Sequence, residues 1–426
     1  MSQKSISTHG DIEYHYTIDI IRFLSASSVA AFHLLFYSWA SGPASSTAHA
    51  FQGAASFESA TPWTWFGWIG VEVFFVISGF VIANSAVGVS SGAFLKSRAL
   101  RLLPAAWICA TITFAVRDAG GVDTLAGLIG PYLSSLSLFP AGPWIDGVYW
   151  SLAVEITFYA LVFGLLRFGA LRLLPALAWG LTLANGTFFF LGATGLYWRV
   201  PGWFQISAAA EPLLLRHGAL FAIGIWMWLS SKRRLPLSGA LGLCLAVPVA
   251  WFEIWGRGAA LQTGEAPAAA GQPLVLPILI WTALTVLLFV VTRQPARFTP
   301  RSETVRTWLR RMGLATYPLY LLHNDVGVTL VRTMVLAGAP KWLALALAVL
   351  IVLGLVFGVA LVLEPRLRRA LRRAIERVTE GRASSPRAAV APRERRSSHD
   401  GGASPLGGPP HLSVGGSDGR SAGQLS

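Results

Sequence analysis

The chain is predicted to be all-α, a polytopic bundle of about ten membrane-spanning helices with both termini cytoplasmic. Three observations predict this. Of 426 residues, 54% are hydrophobic and only 13% charged, with a mean hydropathy of +0.56, a balance that excludes an ordinary soluble globular domain. Apolar runs close to the ~20 residues that cross a bilayer recur along the chain. With the N-terminus placed inside, 28 of the 34 Lys and Arg fall on the inner side, the bias that sets orientation in a cell (inner, cytoplasmic) membrane. The net charge of +14 then reads as an orientation signal and an attraction for anionic membrane lipid. No nucleic-acid motif accompanies it, and no nucleic-acid partner is expected.

Residues 1–16 are polar and carry His9, Asp11, Glu13 and His15, without the charged, apolar, then small-residue order of a cleaved signal. The first apolar segment is therefore expected to stay as a helix. Spans are predicted near 18–39, 67–87, 102–117, 148–167, 173–192, 212–230, 235–255, 274–292, 313–336 and 341–363, forming one transmembrane domain over 17–364. Residues 365–378 place Leu367, Leu371, Ile375 and Val378 on one helical face among arginines, the pattern of a basic amphipathic helix lying on the inner surface. From 379 to 426 the chain is rich in Gly, Ser, Pro and Arg, and a disordered tail is expected. The two cysteines, Cys109 and Cys244, both fall in apolar spans, which offers no disulfide framework and no Cys-based metal site, and no metal is expected.

Ionisable residues inside these spans are the candidate functional groups, because burying them in hydrocarbon is costly. Arg22 and His33 lie eleven residues apart, which is three helical turns plus about 20°, so they share a face about 16 Å apart along the axis. Asp19 joins the same stripe, with Arg22 at the inner surface and His33 near mid-membrane. The second span reads Gly67-Trp-Ile-Gly-Val-Glu-Val-Phe-Phe-Val-Ile-Ser-Gly-Phe80, placing Glu72 near the outer surface and Ser78-Gly79 near the middle, where small residues allow close helix approach. The inner loop that follows carries Arg98 and Arg101 on one helical face, suited to gripping a phosphate or diphosphate with two guanidinium forks. A plain positive-inside anchor would explain that pair equally well by spacing alone. Glu155 sits among apolar residues in the fourth span, Arg216 and His217 open the sixth, and Tyr317-Pro-Leu-Tyr-Leu-Leu-His323 brings Tyr320 and His323 to mid-depth.

Taken in order, these motifs resemble the membrane-bound acyltransferase-3 family, which O-acylates carbohydrates and some secondary metabolites. The resemblance rests on Arg22 and His33, on Gly70-Val-Glu-Val-Phe-Phe-Val-Ile-Ser-Gly-Phe80, on Arg98 and Arg101 before Leu103-Pro104, on Trp150-Ser-Leu-Ala-Val-Glu-Ile-Thr-Phe-Tyr159, and on Tyr317 to His323. Ile20 stands where the family usually has Gly, and Glu72 where it usually has Asp. Some members carry a fused extracytoplasmic domain that completes the transfer. Here the short tail is expected inside, so the acceptor would be acylated by the membrane domain itself or with a separate partner.

The resemblance implies an acyl-CoA-dependent O-acyltransferase with no permanently bound cofactor. Its co-substrate would be acyl-CoA, with acetyl-CoA the expected donor, and its acceptor a carbohydrate or glycosylated molecule. The donor phosphates would meet Arg98 and Arg101, and the pantetheine arm would pass Arg22 toward His33. His33 would serve as general base or as the site of an acyl-histidine. Glu155 and His323 would orient His33 or bind the acceptor, while Arg216 would compensate Glu155 or steady developing negative charge. A transporter or flippase for lipid or glycan is the rival reading, since midplane polar residues also mark transport pathways. It lacks internal repeats and matching Gly/Pro-broken helix pairs.

Overall fold

The computed structural model describes residues 16–232 and 235–383, and every regular element among them is helical. Contacts divide the chain into a unit of residues 1–376 and a second of 377–426, and the elements that build the site lie in the first. The main helices are α1 (Tyr16–Phe32), α2 (Ile69–Ser85), α3 (Ser91–Gly120), α4 (Leu125–Ser137), α5 (Trp150–Arg167), α6 (Leu174–Thr194) and α7 (Gly218–Lys232). They continue as α8 (Leu237–Ala260), α9 (Val275–Arg293), α10 (Glu303–Leu322), α11 (Asp325–Leu336), α12 (Lys341–Gly358) and α13 (Glu364–Ala383). Helix α13 covers the expected amphipathic stretch and runs on through residues 379–383, where the disordered tail was expected to begin, whereas residues 1–15 and the rest of that tail, from 384 onward, lie outside the described residues.

Among the described residues, eight helical stretches are long and apolar enough to cross a membrane, which makes this a multi-pass helical membrane protein. The two other expected spans are assembled from shorter pieces. At 212–230, helix begins only at Gly218, so Arg216 and His217 precede α7 instead of riding on it. At 313–336, the helix breaks at His323 and Asn324, where Asn324 adopts φ −79° and ψ −89°, and α10 gives way to α11. A further difference concerns the arginine pair. Arg98 and Arg101 lie inside α3, a helix of 30 residues capped by Ser90, whose hydroxyl accepts from the Ala93 amide at 3.2 Å. The sequence placed them in a loop because their charge interrupts the apolar run, but the backbone stays helical through them. Helix α4 was not anticipated, and its 13 residues are too short to cross a bilayer.

The centre of the bundle is the crossing of α2 and α7, with α1 lying against both α2 and α10. Close approach of α2 and α7 depends on Gly79 and Gly224, since a Cβ on Gly79 would overlap the Phe221 carbonyl and one on Gly224 would overlap that of Val76. Gly79→Val should therefore cost about 1–3 kcal/mol in overpacking. An earlier thermal transition in detergent would report it. Gly180→Ala, whose added Cβ meets open space, should leave the transition in place, and equal behaviour of the two variants would contradict this packing.

Candidate active site

Two cavities enter the bundle from opposite ends and meet at Val71 and Tyr320, which line both. The inner cavity, about 380 Å³, opens at the arginine-rich end and gathers Asp19, Arg22, Ser78, Arg98, Arg101, Glu155 and Tyr159. Arg22 and Asp19 come from the first two turns of α1, where their three-residue spacing puts them on one face. Asp19 packs so closely on Gly313 of α10 that a Cβ there would overlap its carboxylate. Arg98 stacks over the Phe94 and Tyr159 rings at 5.6 and 5.9 Å and donates to Ser97 Oγ at 3.2 Å. Glu155 accepts hydrogen bonds from Ser78 Oγ and from the Tyr159 hydroxyl, both at 2.6 Å on one carboxylate oxygen.

The outer cavity, about 530 Å³, is lined by His33, Glu72, Arg216, His217, Glu253, Arg257 and Glu265, with aromatic walls from Tyr37, Trp68, Trp150 and Phe189. His33 starts a π-helical turn, His33–Tyr37, that continues α1, a local widening of the kind that recurs at functional sites. Its partner is His323, at the end of α10. The His323 Nδ1 faces only carbonyl oxygens, Tyr320 at 2.8 Å and Leu319 at 3.2 Å, so Nδ1 carries the proton. In the neutral ring Nε2 then bears a lone pair and accepts, at 2.9 Å, from His33 Nδ1, which also lies 3.1 Å from the Val29 carbonyl. With Nδ1–H thus committed, His33 keeps a free lone pair on Nε2, the atom that a general base needs.

Glu155 is not the group that orients His33. It lines the inner cavity and is held by Ser78 and Tyr159, while His323 alone of the two contacts the His33 ring. Nor does Arg216 compensate Glu155, since it lines the outer cavity and faces Glu211 at 3.5 Å. Membership of an apolar span was legible for both residues, but the direction in which each faces was not. Tyr320, between the cavities, places its hydroxyl 2.8 Å from Ser151 Oγ.

Glu253 was missed altogether, and His217 was noted without a role. His217 Nδ1 lies 2.6 Å from Glu253 Oε1 and 3.3 Å from Glu72 Oε2, and the His217 amide donates to both Glu253 oxygens at 3.0 and 3.2 Å. This grip holds His217 at φ 66°, a left-handed conformation that a non-glycine residue adopts at a cost and that clusters at functional sites. Ligand atoms of Glu72, His217 and Glu253 all lie within 4.8 Å of one another, a spacing that would also suit a metal ion, although the sequence reading assigned none. The available signal was a single carboxylate in the otherwise apolar run Val247 to Trp255 of α8.

A profile of the acyltransferase domain matches residues 15–364. The exopolysaccharide production protein ExoZ of Rhizobium meliloti (strain 1021) is 30% identical over 138 residues, covering 30% of this chain and 41% of that protein. Nodulation protein 10 of Rhizobium leguminosarum bv. viciae is 32% identical over 112 residues, covering 21% of this chain and 30% of that protein. Each match thus spans less than half of the relative. No solved structure matches this chain. Profile, motif order and membrane bundle agree, and the chain belongs to the acyltransferase-3 family of membrane acyltransferases.

Proposed function

We propose that the protein transfers an acyl group, acetyl in the simplest case, from cytoplasmic acyl-CoA to a hydroxyl of a carbohydrate or glycosylated acceptor. The observation that carries this reading is the meeting of a cationic inner cavity with an acid- and aromatic-lined outer cavity beside the His33–His323 pair. Arg98 and Arg101 suit the donor diphosphate, because each offers a planar fork of donors. Arg22, deeper along the same cavity, would follow the pantetheine arm inward. The outer cavity suits a sugar, with carboxylates to accept from ring hydroxyls and indole faces to cover the apolar side of the ring. The printed names of the two relatives, one in exopolysaccharide production and one in nodulation, support a carbohydrate acceptor.

In this reading His33 Nε2 takes the proton from the acceptor hydroxyl as the oxygen attacks the thioester carbonyl. Collapse of the tetrahedral adduct breaks the carbon–sulfur bond, and the leaving CoA thiolate takes that proton back from His33. His323 steadies the imidazolium in between through the Nδ1–H contact. In this reading the side bearing most of the Lys and Arg faces the cytoplasm, the protein sits in the cytoplasmic membrane, and its acceptor site opens on the far side, an orientation supported by the bias of basic residues.

Mass spectrometry of cell-surface glycans and small-molecule extracts, with and without the gene, tests the reading. Acyl-mass additions that depend on the gene are expected, together with transfer from labelled acetyl-CoA by the purified protein in nanodiscs. If no acylated product forms and proteoliposomes instead carry glycan or lipid across the bilayer, the transferase reading falls and the protein is a transporter.

A further inference from the structure

A second cationic concavity lies outside the inner cavity and shares a wall with it. This cleft, about 430 Å³, is formed between one face of α3, with Lys96 and Arg101, and one face of α13, with Arg368, Arg372 and Glu376. Its volume falls in the range of about 300–1,000 Å³ typical of small-molecule sites. On α13 the two arginines are four residues apart and so side by side, and Lys96 and Arg101 lie on neighbouring turns of α3. Four cations and one carboxylate thus share one concavity. Glu376 is engaged with Lys96 at 3.0 Å, and Arg368 pairs with Glu364 on its own helix. Arg101 and Arg372 have no protein anion within ion-pair distance among the described residues, although like charges gathered this closely repel.

We infer that this cleft is a phosphate subsite, and that it takes the 3′-phosphate of the CoA donor. The assignment rests on the acyl-CoA reading proposed above and extends it to α13, a helix whose sequence pattern by itself suggests only a membrane-surface anchor. Arg101 decides between the two sources of phosphate open to such a site, a nucleotide or an anionic lipid headgroup. It lines both this cleft and the inner cavity, so a donor whose diphosphate meets Arg98 and Arg101 has its phosphorylated ribose directed into the cleft while its thioester runs inward. A 3′-phosphomonoester is close to dianionic, which matches two unneutralised guanidiniums better than a singly charged phosphodiester does.

Binding of acetyl-CoA and of acetyl-3′-dephospho-CoA to the full chain in nanodiscs tests the subsite. The parent should prefer acetyl-CoA by at least about tenfold, the worth of one or two charge-assisted hydrogen bonds. Arg372→Ala should lose that preference, bringing acetyl-CoA to the affinity of the dephospho compound, and Arg372→Lys should keep part of it. Binding of the dephospho compound by each variant reports that it is folded. Equal affinity of the parent for the two thioesters would overturn the subsite and leave the acyl-CoA reading standing, whereas binding of neither would overturn both. Nanodiscs of phosphatidylcholine alone, compared with nanodiscs containing phosphatidylglycerol, separate the lipid source. If Arg372→Ala changes only the response to phosphatidylglycerol and leaves the thioester preference intact, the cleft is a lipid site and the proposal fails.

Discussion

His33→Ala is expected to reach the membrane at the parent's level and to lose acyl transfer by at least about a hundredfold, the lower bound for removing a general acid or base. The reason is specific to one atom. With Nδ1–H committed to His323 and the Val29 carbonyl, the free lone pair on Nε2 is what the outer cavity presents to an acceptor hydroxyl. His323 acts through His33, so His323→Ala should lower kcat while leaving KM for the donor near the parent's. His323→Gln, whose amide oxygen can still accept from His33 Nδ1–H, should recover part of kcat, a rescue that a purely structural role would not show. Transfer assays on purified variants check this, and near-parent activity in His33→Ala would remove His33 from the mechanism.

Arg98→Ala and Arg101→Ala are each expected to raise the apparent KM for acyl-CoA about tenfold or more, the scale of a lost charge-assisted phosphate contact. Lys at either position should rescue only partly, because an ammonium is a point charge and does not reproduce the planar fork. Arg98 is held over Phe94 and Tyr159, so its Lys variant also loses a stacked guanidinium and should be the weaker rescue. Initial-rate measurements across donor concentration decide the matter. If both Ala variants bind the donor as the parent does, the pair serves topology alone.

The family motifs were legible as spacing. Arg22 and His33 share a helical face, Arg98 and Arg101 share another, and each lines one of the two internal cavities. Glu155 and Arg216 show where spacing stopped being informative. Both were read as charged groups in apolar spans, yet Glu155 turns toward Ser78 on α2 and Arg216 toward Glu211, in different cavities. Glu253 was hidden for a related reason. A lone carboxylate in an apolar run signals a buried partner without naming it, and the partner, His217, lies 36 residues earlier in a non-helical turn.

What the sequence by itself determined was the helical class, eight of the ten apolar spans and which ionisable residues share a helical face. These follow from local quantities, namely hydropathy over about twenty residues and the 100° step of the helix. Which faces oppose one another was decided only by tertiary packing, through contacts such as the glycine crossing of α2 and α7 and the break at Asn324 that delivers His323 to His33. Helix periodicity says which residues share a face. It carries no information about the neighbour that face will meet, because that choice depends on close packing between segments far apart in the chain.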